Sequence, residues 1–160
     1  MLYLALKTLH VLGVAMFLGN ITTGIFWKRH ADRTRDPRLI AHALEGIRGS
    51  DRWFTIPGVV VITAAGIATA IVGHLPLLRT GWILWSLVLF TISGIAFMTQ
   101  VAPLQKRMAS LMRDGAERGA PDWHAYERMS RAWDLWGAVA VLAPLVALAF
   151  MILKPALRGF

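Results

Sequence analysis

The 160-residue chain is 56% hydrophobic and 16% charged, carries a formal net charge of +8 and contains no cysteine. So low a charged share excludes an ordinary soluble domain, and the missing cysteine excludes a disulfide framework, a thiolate metal site and a cysteine nucleophile. Nor does the positive charge call for a nucleic-acid partner, because Lys and Arg crowd into two stretches that flank long apolar runs, where membrane topology places them.

The opening MLYLALKTLHVLGVAMFLGN has neither a basic leader nor a small-residue cleavage site, so it reads as a retained first span, Leu2 to Trp27, rather than a secretory signal. Three more segments approach the roughly 20 apolar residues that a helix needs to cross the bilayer: Trp53 to Gly73, Trp82 to Val101 and Trp133 to Leu153. Between the first two, Asp36–Pro37 precedes Leu39, Ile40, Ala43, Leu44 and Ile47 at helical spacing, which predicts a short amphipathic helix on the inner membrane surface. Ser50 or Asp51 then caps the second span. After Pro103, the residues Leu104, Met108 and Leu111 extend the third helix beyond the bilayer to Gly115, and Pro121–Asp122 opens the helix that enters the fourth span. Pro144 bends that span. The expected fold is all-α: a single membrane domain over residues 1–160, a four-helix bundle with short cytoplasmic helical extensions.

Orientation follows from the basic residues. Lys28, Arg29, Arg33, Arg35, Arg38, Arg48 and Arg52 follow the first span, and Lys106, Arg107, Arg113, Arg118, Arg128 and Arg131 follow the third, against Lys7, Arg79, Lys154 and Arg158 on the other side. Since Lys and Arg beside spans stay in the cytoplasm, both chain ends are expected outside a bacterial inner membrane. Trp27, Trp53, Trp82 and Trp133 sit at span ends, where an indole prefers the headgroup boundary. Small residues four apart, Ala15, Gly19 and Thr23 on the first helix, Gly66 and Ala70 on the second, Ala143 and Ala147 on the fourth, offer strips for close helix packing and for a homodimer.

The stretches LKTLHVLGVAMFLGNITTGIFWKRHADRTRDP from Leu6, RWFTIPGVVVI from Arg52, VAPLQKRM from Val101, then WDLWGAVAVLAPLVAL and MILKP resemble the bacterial predicted integral membrane proteins grouped as domain of unknown function 2269. They cover nearly the whole chain in order. The resemblance implies a small four-span membrane protein and brings no activity, substrate or catalytic residue. The first helix alone also resembles the opening helix of the membrane protoporphyrinogen oxidase and copper-resistance D families.

Ionisable groups inside spans are costly, so Lys7 and His10, three residues apart on one helix face, need an explanation. Lys7 can snorkel to the outer headgroups while His10 bonds to a neighbouring helix; alternatively His10 relays a proton or ligates a cofactor such as a b-type haem. For haem, the level of His10, 18 residues before Lys28, falls near Ile71 on the second helix at 1.5 Å per residue, which leaves His74 as the histidine partner and Met151 as the fourth-helix one. Towards the inner side, Asn20 and Gln100 are expected as interhelical hydrogen-bond glue, and Asp134 as the partner of a loop arginine, Arg131 or Arg52. His30, His42 and His124 read as solvated.

No Walker loop, dinucleotide fingerprint, zinc-protease helix or nucleophile elbow is present. Three function classes stay open: a structural or accessory membrane subunit, favoured because intramembrane ionisable groups are scarce; a small b-type haem or redox protein; and a minimal transporter or permeability factor.

Overall fold

A computed structural model describes residues 1–159, among which every regular element is helical. Helix α1 runs over Leu2–Thr34, and α2 over Pro37–Ser50 continues through a π-helical turn, Asp51–Thr55, into α3, Ile56–Val72. After a short connection α4, Gly81–Ala96, passes through a second π-turn, Phe97–Val101, into α5, Ala102–Arg118, and α6 spans Trp123–Leu153. The chain is therefore four rods, 2–34, 37–72, 81–118 and 123–153, each with a stretch apolar enough to cross a membrane.

The starts of α2 and α6 follow from their caps: the side chain of Asp36 accepts from Arg38 N with Pro37 in the first turn, and that of Asp122 accepts from Ala125 N, both at 2.8 Å. Gly119, with φ of +67°, ends α5 in the left-handed conformation that glycine takes without strain. The expected break at Ser50–Asp51 is absent. Asp51 does not cap a new helix, and α2 does not stop on the membrane surface, because the helix widens instead of ending. Pro57 has no N–H and its ring crowds the carbonyl four residues back, as does Pro103 in the third rod. In each case the turn ahead of the proline reaches five residues back, Ile56 N–H to Asp51 O and Ala102 N–H to Phe97 O, which makes room for the ring.

Through the apolar half, α1 packs along α3 and α4 along α6, while α3 and α4 scarcely touch. At the opposite end, which carries the basic residues, α2 packs on α5 and α1, and α5 on α6. The deepest burial is there: Leu44, Met108 and Met112 are fully enclosed, with Ile40, Tyr126 and Trp133 around them. The helical extensions thus form a small four-helix core of their own.

On α1 the inward positions are His10, Gly13, Phe17, Gly24, Lys28 and Ala31, recurring at three, four and seven residues as a seam. The strip Ala15, Gly19 and Thr23 faces outward, and a Cβ on Gly19 would meet nothing within 4 Å. The glycine that brings α1 onto α3 is Gly13, where a Cβ would lie 3.1 Å from the side chains of Val61 and Ile62. Gly13→Leu should accordingly destabilise the fold by about 1–3 kcal/mol through overpacking, lowering the thermal midpoint of the monomer in detergent, whereas Gly19→Leu should leave the monomer's midpoint unchanged. Equal midpoints for the two variants would contradict this packing.

Candidate functional site

The seam of α1 is polar at three levels. At the first, His10 Nδ1 lies 2.8 Å from Ile62 O, and the ring rests on Gly66, where a Cβ would come within 2.9 Å of it. A carbonyl partner makes Nδ1 the protonated nitrogen. Lys7 is exposed, with no ion pair among the described residues. His74 is exposed in the turn after α3, at φ of +53°. It does not share the level of His10, because Gly73 lies against the Tyr3 ring, seven residues or about 10 Å further along α1. Met151 is half-buried on α6, whose membrane half packs on α4 rather than α1. The register differs from the one counted from Lys28 because Asn20 meets Asp51 and Gly24 meets Ile47, which puts Lys28 well below the end of the second span instead of level with it.

The second level gathers around the first π-turn. Asn20 Nδ2 donates to Thr55 Oγ1 at 2.9 Å and to Asp51 Oδ1 at 3.3 Å, and the Thr55 hydroxyl donates to the same carboxylate oxygen at 2.8 Å. Buried Gln105 of α5 faces this carboxyl group, whose Oδ2 is enclosed and completes no hydrogen bond. Of the expected inner cluster, Asn20 alone belongs here. Gln100 is half-buried in the second π-turn, and the interhelical amide is Gln105, one and a half turns on. Asp134 is exposed and pairs with no arginine among the described residues, because its neighbour Trp133 takes the inward position and turns Asp134 away from the seam.

The third level was hidden among the loop cations. Lys28 is 1% exposed, and its ammonium donates to Asp32 Oδ2 and Ser130 Oγ, both at 2.7 Å, while lying 5.0 Å from the centre of the Trp133 ring. Tyr126 donates its hydroxyl to the other oxygen of Asp32. Burial first, then the bond to Asp32, push the Tyr126 phenol above its ordinary value, so it remains a donor. A depression of about 300 Å³ opens over this group, edged by Arg35, which pairs with Glu127 at 2.9 Å and lies over Trp123, and by exposed Arg131. Lysine next to serine invites a nucleophile reading, but here the ammonium is a donor held between a carboxylate, a hydroxyl and an aromatic face, which fixes α1 to α6. The signal in the sequence was the four-residue step from Lys28 to Asp32 lying on the seam of Phe17, Gly24 and Ala31.

All three levels fall within residues 4–155, which match the family model of predicted integral membrane proteins designated DUF2269. The chain belongs to that family. No curated protein and no solved structure matches it. In this DUF2269 protein the Lys28–Asp32 pair is the most enclosed ion pair among the described residues. Breaking a buried ion pair commonly costs 3–5 kcal/mol; because Asp32 is 27% exposed, Lys28→Ala should cost about 2–3 kcal/mol. A double-mutant cycle with Asp32→Ala, read by thermal unfolding in detergent, should return a coupling above about 1 kcal/mol, and a coupling near zero would remove the pair as an anchor.

Proposed function

We propose that this DUF2269 protein is a structural or accessory subunit of the bacterial inner membrane, without catalysis of its own. The observation that carries the reading is where the polar side chains between the helices are spent. His10 bonds to Ile62 O, Ser86 to Ala147 O, Ser93 to Ala140 O and Asn20 to Thr55 and Asp51, so each joins one helix to another. A substrate path would leave such groups without a partner in the protein. The outward strip of Ala15, Gly19 and Thr23 supports a homodimer, since small residues let a second copy approach closely, and the bias of basic residues supports chain ends on the outer side.

One feature favours a redox role as the second reading. A histidine that gives its Nδ1 proton to a carbonyl keeps Nε2 free as a metal donor, an arrangement common among haem and zinc ligands. The optical spectrum of the purified protein separates the two. The accessory reading expects no Soret band and a stable dimer by mass photometry in mild detergents; a Soret band lost in His10→Ala would replace it with the haem reading, and solute flux in proteoliposomes would replace it with transport. Reporter fusions after Gly115 should read cytoplasm and fusions to the C-terminus the outer side, with the reverse pattern overturning the orientation.

A further inference from the structure

Because α3 and α4 diverge, the apolar half contains a cleft of about 530 Å³ between the two helix pairs. Its walls include Val59 and Val60 of α3, Ile95 of α4 and Met98 of the second π-turn, and the Phe17 and Phe90 rings, 5.6 Å apart, line it as well. Val60, Ile95 and Met98 are about 60% exposed, so the cleft opens sideways to the bilayer. From Thr55 at its near end to Thr63 it runs eight residues of α3, about 12 Å.

The near end points at cations. Arg52 lies one turn before Ile56 on the same helix face, Arg48 one turn before that, and Lys106 two turns after Thr99 on α5. All three are exposed, and the ion pairs among the described residues use Lys28, Arg35 and Arg113 instead. The nearest carboxylates are committed elsewhere: Asp51 turns inward to Asn20 and Thr55, and Glu45 pairs with Arg113. An apolar slot in the hydrocarbon with an uncompensated positive collar at the headgroup level matches one kind of molecule, an anionic amphiphile with its charge at the interface. A partner helix fits poorly, since a cylinder 10 Å across fills this volume with about one turn, whereas the volume lies within the usual range for a small-molecule site.

We propose that the cleft binds one anionic phospholipid of the bilayer, with an acyl chain between α3 and α4 and its phosphate on Arg52, Arg48 and Lys106. Basic residues near span ends would attract an acidic leaflet in any case; the cleft turns that general attraction into retention of a single molecule.

The test uses the full chain in mild detergent, incubated with vesicles of equal phosphatidylglycerol and phosphatidylethanolamine and examined by native mass spectrometry. One phosphatidylglycerol should be retained under activation that strips phosphatidylethanolamine. Gly94 lines the cleft, and a Cβ there meets nothing within 4 Å, so Gly94→Phe should fill the space and abolish retention while the unliganded fold is kept. Arg52→Gln with Lys106→Gln, both on the surface and without effect on folding, should weaken phosphatidylglycerol binding about thirtyfold, the worth of two interfacial cations. Equal retention of the two lipids by the wild type, or unchanged retention in the Arg52/Lys106 double variant, would overturn the proposal; so would undiminished binding in a folded Gly94→Phe.

Discussion

A backbone carbonyl in hydrocarbon has no water to turn to, and three prolines in this chain each deprive one of its helical donor. Pro57 and Pro103 sit where the second and third rods pass from their apolar to their basic halves, and there the helix widens into a π-turn and continues. Pro144 lies within the fourth rod, and the carbonyl it orphans, Ala140 O, accepts instead from Ser93 Oγ of α4 at 2.6 Å. Much else depends on these repairs. Because the rods do not break at the prolines, α2 and α5 are carried out of the membrane as rigid continuations of α3 and α4. The first π-turn also supplies Asp51 and Thr55 to Asn20, and the Ser93 bond ties α4 to α6.

The two halves of the molecule are held together by different forces. In the apolar half, burying a leucine against another helix gains little over burying it in lipid, so association rests on close approach and on side-chain bonds to carbonyls. The glycine contacts at Gly13 and Gly66, and the serine bonds from Ser86 and Ser93, are of that kind. At the basic end water is present and the hydrophobic effect operates. There Ile40, Leu44, Met108 and Met112 make a densely buried core, and Lys28 is enclosed with its partners. This explains how the helix pairs can stand apart in the apolar half without the fold coming open: the basic-end core clamps them.

The features legible in the sequence were those with a local cause. Four apolar runs, the caps at Asp36 and Asp122 and the amphipathic repeat from Leu39 to Ile47 each depend on a few neighbouring residues. What could not be read depends on partners far along the chain. Ala15, Gly19 and Thr23 have the same four-residue spacing as the true packing residues, and composition does not say which face meets α3. Lys28 looked like one more loop cation because its partners Ser130, Tyr126 and Trp133 are about a hundred residues away. The break expected at Ser50–Asp51 is absent because the turn ahead of Pro57 widens, and such widening leaves no mark in the local sequence. The level of His10 against α3 escapes a count from the span ends for a related reason: Lys28 and Trp53 do not lie in one plane.

The three polar levels of α1 lie on one seam, yet they do not form one path. From His10 to Asn20 is about 15 Å along the helix, and the inward positions between are Gly13, packed on Val61 and Ile62, and Phe17, whose ring lies tilted against that of Phe90. From Asn20 to Lys28 is about 12 Å, and Gly24 between them is closed by the side chain of Ile47. Proton or ion movement along the seam would need polar groups or water spanning each gap, and glycines pressed against branched aliphatic side chains leave room for neither. Each level instead ties α1 to a different element: His10 to α3, Asn20 to the first π-turn, and Lys28 to α6. A helix fastened at three depths to three partners is suited to holding a bundle in register.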